Sequence, residues 1–373
     1  MGSDLILYIV VATALAFDFT NGFHDTANVV ATTISTRALP PRVAVTLASL
    51  LNFVGAFLSL AVAATIAKNI VDQQLVTTTI VFAGLVGAIV WNLVTWYFGL
   101  PSSSSHALIG GVVGAMLVAH GTAAIHFDGL AGKVLVPALI APVLAFAVAG
   151  IAILVCYRVV GRLAPGPVSR GYRLGQVLSG GMLALAHGTN DAQKTMGVIT
   201  LALIANGNLG ADASVPTWVV ISAATAIALG TYIGGWRIIK TMGSRIIKMD
   251  PAQGFAAQGA GAATILAATH FGYPLSTTHV ISGGVMGAGA AKRLSAVRWG
   301  VAGNIVVAWV LTLPCAALVG GAVYGVTRVF GDGAAGPVVV AAAGLAFSVY
   351  MFVRRFQQGA AITTTAAAEG SRP

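Results

Sequence analysis

The chain has 373 residues, 57% of them hydrophobic and 8% charged, with a mean hydropathy of +0.89, whereas a soluble domain carries about a quarter charged residues. That composition excludes a soluble enzyme and indicates a polytopic, all-α membrane protein. The net charge of +10 lies in short Lys/Arg runs between apolar stretches, where membrane orientation accounts for it and nucleic acid need not; the isolated Cys156 and Cys315 support neither a disulfide framework nor structural zinc.

Residues 1 to 18 begin with Asp4, lack a basic leader and run into further apolar sequence, so no cleaved signal peptide is expected. Spanning helices need about 20 residues. In chain order, apolar stretches are predicted at 5–34, 43–66, 80–100, 107–120, 133–157, 177–205, 217–239, 256–271, 280–291, 299–324 and 338–353. The stretches 107–120 and 280–291 are too short to cross a hydrocarbon core of about 30 Å. The stretches 5–34 and 177–205 are too long for one straight pass and carry polar clusters at their centres, so broken helices are expected there.

The chain contains a duplication. Residues 99–115 align without gaps to residues 272–288, with nine of seventeen pairs identical, among them Gly99/Gly272, Pro101/Pro274, Ser103/Ser276, His106/His279 and both Gly-Gly pairs. Upstream, Asn21-Gly22-Phe23-His24-Asp25-Thr26-Ala27-Asn28 stands opposite His187-Gly188-Thr189-Asn190-Asp191-Ala192-Gln193-Lys194. Charge orients the copies. If each hydroxyl-rich element is a re-entrant hairpin and Arg37 and Arg42 face the cytoplasm, 16 of the 20 basic residues fall inside, while Asp4, Asp72, Asp128, Asp212 and Asp332 fall outside. Each copy then crosses an odd number of times, giving two inverted-topology repeats with two opposed re-entrant hairpins, an arrangement that marks secondary transporters. The expected layout is a first repeat (1–157), a cytoplasmic linker (158–176), an inverted second repeat (177–330), an additional transmembrane helix (331–355) and a disordered cytoplasmic tail (356–373), with the amino terminus extracytoplasmic.

Ser103, Ser104 and Ser105, and Ser276, Thr277 and Thr278, follow a proline and precede an apolar run. Such a helix N-terminus offers free N–H groups, hydroxyls and the positive end of a dipole to an oxyanion; ordinary N-capping is the competing reading. Asp25 and Asp191 are matched acids at membrane depth, where an ionisable group is costly enough to suggest function. Asn28 and Lys194 follow at i+3, on the same faces. Asp25, Asn28, Asp191 and His24 are read as coupling-ion residues, the six tip residues with Asn190 and Lys194 as substrate-binding; an ion pair of Asp191 with Lys194 is the competing reading. His24, His106, His187 and His279 all lie in these motifs, but without zinc-type spacing or cysteines no metal site and no cofactor is expected; packing of the tips and proton handling are the two roles left for them. The Gly-rich runs lack a phosphate-loop pattern and are read as helix contacts.

The Gly-Phe-His-Asp-Thr-Ala-Asn run followed by Thr-Arg-Ala, the Gly-Thr-Asn-Asp-Ala-Gln-Lys run and the Ser-Thr-Thr-His tip resemble the inorganic phosphate transporter (PiT) family, in particular its bacterial low-affinity branch, through about residue 325. The resemblance implies a homodimeric symporter in the cell inner membrane that is driven by protons or sodium and carries phosphate, sometimes as a neutral metal-phosphate complex. It also implies that Asp25, Asn28, Asn190 and Asp191 bind ions or substrate together with the two tips. His24 stands where the family motif has Asn, so a sodium ligand is missing there and the proton is the expected coupling ion. The long hydrophilic loop of eukaryotic relatives is absent between residues 158 and 176. A sulfate transporter would use the same tips, but monohydrogen phosphate carries a proton that a carboxylate can accept. A passive channel is separated by its failure to accumulate substrate. An intramembrane hydrolase built from Ser105, His106 and Asp25 would have no use for an inverted duplicate, so no enzyme is expected.

Overall fold

The computed structural model describes residues 2–369, with side chains for residues 4–354. The elements are α1 (Gly2–Ser35), α2 (Pro41–Gly55), α3 (Ala61–Lys68), α4 (Thr78–Phe98), α5 (Ser104–His120), α6 (Phe127–Leu130), α7 (Val136–Val160), α8 (Pro165–Ala205), α9 (Thr217–Ile233), α10 (Trp236–Lys240), α11 (Pro251–His270), α12 (Thr277–Lys292), α13 (Trp299–Val329) and α14 (Ala335–Glu369). Among the described residues there is no strand, only an isolated bridge between Val71 and Ile125. A π-helical turn, Ala131–Leu135, joins α6 to α7, so Phe127–Val160 is one 34-residue apolar span. With Asp4–Ser35, Thr78–Phe98, Trp299–Val329 and Ala335–Arg354 it makes five long apolar helices among the described residues, and the bent pair α9–α10 makes a sixth.

Four expectations change. Neither long polar-centred stretch is broken: α1 and α8 are continuous helices of 34 and 41 residues. Their polar side chains bond sideways to neighbouring helices, so the backbone ladder has no need to open. The breaks lie elsewhere. Residues 43–66 divide between α2 and α3, and 217–239 bends by 60° between Ile233 and Trp236, where Gly234 adopts φ +74°. The short stretches begin earlier than predicted, at Ser104 and Thr277. The linker 158–176 shrinks to residues 161–164, because α8 starts at Pro165. At the other end, α14 continues through Glu369; residues 370–373 of the expected disordered tail lie outside the described residues.

The two halves repeat one packing scheme. α1 packs on α9 and α8 on α2; α5 is held by α4 and α13, and α12 by α11 and α7. Each short helix therefore leans on a long helix from the other half. Glycines permit this approach. β-Carbons at Gly110 and Gly114 would strike the carbonyls of Leu313 and Ala317 on α13, and at Gly283 and Gly287 those of Pro142 and Phe146 on α7. Gly22 and Gly188, equivalent in the duplication, likewise press on the carbonyls of Ile227 and Asn52. Small residues at such crossings let backbones pack closely, which is how helices associate in lipid.

Two apolar cores lie on either side of a polar layer. One joins the amino-terminal half of α1 (Ile6 to Phe17) to the carboxy-terminal half of α8 (Ala192 to Leu203), with α4, α5 and α9. The other joins the end of α1 (Ala27 to Ala31) to Leu183–Ala186 of α8, with α2, α7, α11 and α12. The equivalent helices α1 and α8 thus run antiparallel, and α5 and α12 depart from the polar layer into different cores. On the rim of the first core, Asp72 N–H bonds the Ala124 carbonyl at 3.0 Å and Lys68 pairs with Asp212 at 2.8 Å. On the rim of the second, Asp250 holds Tyr157 at 2.8 Å and Lys292 at 3.2 Å.

Candidate functional site

Both tips are built alike. Gly99 ends α4 at φ +69°, and Gly272 follows α11 at φ +71°; Pro101 and Pro274 then keep the chain extended until the next helix starts. Ser103 Oγ accepts from the His106 N–H at 3.1 Å and Ser276 Oγ from the His279 N–H at 3.3 Å. These two serines are N-caps, as the competing reading had it. The next residues, Ser104, Ser105, Thr277 and Thr278, are buried, and the first N–H groups of α5 and α12 have no intrahelical acceptor.

The tips meet in the polar layer. Ser105 Oγ donates to the Leu275 carbonyl at 3.1 Å, and the His106 and His279 rings meet edge to face at 4.8 Å. Trp309 stacks on His279 at 4.1 Å and donates to the Pro101 carbonyl at 3.2 Å. These two histidines pack the junction.

The acids converge on it from α1 and α8. One oxygen of Asp25, one of Asp191 and a ring nitrogen of His187 lie within 4.8 Å of one another, all buried, a span one cation could bridge. Lys194 Nζ donates to Asp191 Oδ1 at 2.5 Å, Ser105 Oγ at 2.5 Å and the Leu275 carbonyl at 2.8 Å. An ammonium has three donors, so Lys194 is saturated by the ion pair and the two tips and has none free for a substrate in this conformation. Asn28 Nδ2 donates to Thr278 Oγ1 at 2.9 Å and Thr277 Oγ1 at 3.4 Å. Thr277 donates to Asp191 Oδ2 at 3.3 Å, and Thr278 to Asp25 Oδ1 at 3.5 Å.

His24 Nδ1 stands 2.6 Å from Asp25 Oδ1 and Nε2 3.0 Å from Thr95 Oγ1. Imidazole and carboxylate are adjacent in sequence yet meet directly. Asn190, the equivalent of His24, donates to Thr269 Oγ1 at 2.7 Å and the Tyr273 carbonyl at 3.2 Å. Asn190 Oδ1 and Ser104 Oγ are buried without a hydrogen-bond partner. A ligand offering both donors and acceptors, as a hydrogen phosphate does, matches such a pair.

All twelve candidate residues lie in or against this layer. Sequence reasoning passed over Thr95 and Thr269, which orient His24 and Asn190, and Asn52, whose Oδ1 is 3.2 Å from His187 Nδ1. It assigned His187 to tip packing or proton handling and did not place it beside the two acids. The His187-x-x-x-Asp191 spacing puts both on one helix face, a signal a search for paired histidines does not register.

The phosphate transporter family matches residues 21–165 and 164–320. A protein of Mycobacterium tuberculosis named "Probable low-affinity inorganic phosphate transporter" is 56% identical over 327 residues, 87% of this chain and 78% of its own. A Bacillus subtilis protein of the same name is 45% identical over 323 residues, 86% of this chain and 96% of its own. A solved structure described as "The sodium-dependent phosphate transporter" is similar at TM-score 0.79 and 25% identity, covering 87% of this chain and 99% of that one.

Proposed function

The chain belongs to the phosphate transporter family, and on that premise we propose that it is a multi-pass secondary active symporter, not an enzyme, that moves inorganic phosphate by alternating access around the polar layer. The observation that carries this reading is the meeting of two equivalent helix N-termini, bridged by Lys194, with the equivalent acids Asp25 and Asp191. N-terminal N–H groups and dipoles suit an oxyanion. The antiparallel course of α1 and α8, and the departure of α5 and α12 into different cores, support inverted repeats with opposed hairpins. The clustering of Asp72 and Asp212 near one core and of Asp250 and Lys292 near the other supports an outer and an inner face, with the amino terminus outside and the carboxy terminus inside.

Charge favours coupling to a cation. Two carboxyl groups, Asp25 and Asp191, face the single ammonium of Lys194, so a phosphate dianion entering the layer adds negative charge that an accompanying cation would offset. The proton is the coupling ion in this reading, because His24 touches Asp25 directly and replaces an amide oxygen that sodium would use; a neutral metal-phosphate complex would meet the same charge requirement. A homodimer is part of the proposal through the family likeness. The test is concentrative uptake of radiolabelled phosphate into sodium-free proteoliposomes under an inward proton gradient. Uptake should exceed equilibration. Levels that only reach those of the bath would indicate a passive channel, and uptake that waits for sodium would replace the proton.

A further inference from the structure

Asp18 lies in the middle of α1, fully buried, and neither carboxylate oxygen makes a hydrogen bond. Asn21 and Thr195 are the side chains placed to bond it, and Asn21 Oδ1 and Thr195 Oγ1 are themselves buried and without a partner. A carboxylate with no hydrogen bond of its own thus lies beside a side-chain amide and a hydroxyl that each keep an unpartnered oxygen. The charged groups whose fields reach Asp18 are Asp191 and Lys194 of α8. Lys194 is saturated by Asp191, Ser105 and Leu275 and cannot neutralise a second acid. An isolated ionised carboxylate in such a place is strongly disfavoured.

Resting on the symport reading above, we propose that Asp18 is a second, separate proton-carrying site, on the extracytoplasmic side of the Asp25/Asp191 layer. One added proton removes the buried charge and leaves a neutral carboxyl group with Asn21 and the Thr195 hydroxyl beside it. The carboxylate takes one proton from outside when the layer is open outward and releases it once the layer opens inward, so only an O–H bond forms and breaks. Asp18 precedes Asp25 by seven residues on one face of α1, about 10 Å at 1.5 Å per residue, and directly follows Phe17 of the first core. The site has no mate in the duplication. Ala184 stands at the equivalent place in α8, so this site would set proton stoichiometry without duplicating the phosphate site. Sodium fits less well, since carboxylate, amide and hydroxyl groups of three residues supply few of the ligands a hard cation takes.

The test compares wild type with Asp18→Asn in proteoliposomes, after normal membrane abundance is established. Wild-type failure to accumulate phosphate under a proton gradient would sink the symport reading itself. Given wild-type accumulation, Asp18→Asn should keep phosphate exchange, which needs no net proton movement, and lose about tenfold of the accumulation driven by a one-unit gradient, the factor one proton supplies. Accumulation and pH profile unchanged from wild type, loss of exchange along with accumulation, or loss of a sodium dependence alone would each overturn the proposal. Should Asp18→Asn not reach the membrane, Thr195→Val is measured instead. A displaced pH profile of uptake is expected, and an unmoved one refutes the assignment.

Discussion

Lys194 of α8 reaches Ser105 of the first tip at 2.5 Å, and the relationship is mirrored by Asn28 of α1, which reaches Thr278 of the second tip at 2.9 Å. Each residue lies three positions after the acid of its helix and grips the same hydroxyl position of the other half's tip. One mirror partner carries a charge and the other does not, so the site is symmetric in shape and unequal in electrostatics. In the alternating-access mechanism proposed above, cross-half bonds of this kind are the ones that would exchange between the two arrangements.

Removing either acid should stop transport. Asp25→Asn is expected to abolish phosphate uptake with membrane abundance intact. Asp191→Asn should also lower abundance, because a buried pair that loses one partner costs about 3–5 kcal/mol. The double variant Asp191→Asn/Lys194→Met should recover abundance in a blot of the membrane fraction while uptake stays absent. Recovered uptake in the double variant would show that Asp191 only neutralises Lys194.

Gly114→Ala should destabilise the protein by about 1–3 kcal/mol through overpacking, since its β-carbon runs into the Ala317 backbone. Gly303→Ala, on α13 with nothing within 4 Å, should be neutral or slightly stabilising. Thermal unfolding in detergent distinguishes them, and equal behaviour would contradict the close α5–α13 contact.

The Gly-Gly pairs, the capped tips and the matched acids were legible because a duplication prints each feature twice, and neither copy has a separate reason to match. The unbroken α1 and α8 were not legible. A polar cluster at membrane depth can be accommodated by opening the backbone or by lateral bonding, and the partners that decide it, Thr95, Thr278 and Thr269, are remote in sequence. The saturation of Lys194 was hidden for the same reason: its i+3 spacing announces Asp191, but nothing in the sequence announces Ser105 or the Leu275 carbonyl. The break after α9 carries Gly234-Gly235, a signal masked by apolar residues on both sides.

Orientation is open to labelling. In a background with Cys156 and Cys315 replaced by Ala, Gln74→Cys and Ala211→Cys should react with an impermeant thiol reagent added outside intact cells, and Gly171→Cys should react only after permeabilisation. Reaction of all three from outside would contradict the inverted arrangement.

Substrate choice follows from the acids. Arsenate, with the same shape and an exchangeable proton, should compete with phosphate uptake, and sulfate, which has no proton to give at neutral pH, should not. Equal competition by sulfate in the same uptake assay would remove phosphate as the selected ion.

The central claim, that phosphate is held between the two opposed helix tips, is tested most directly by an experimental structure of the protein with phosphate bound. Density for the anion should lie between the N-termini of α5 and α12, with oxygens within hydrogen-bonding distance of backbone N–H groups from both tips and of Ser104 Oγ, and with Asp25 and Asp191 beside it. Phosphate density away from the tips, or touching only one of them with the other still closed by Lys194, would contradict it.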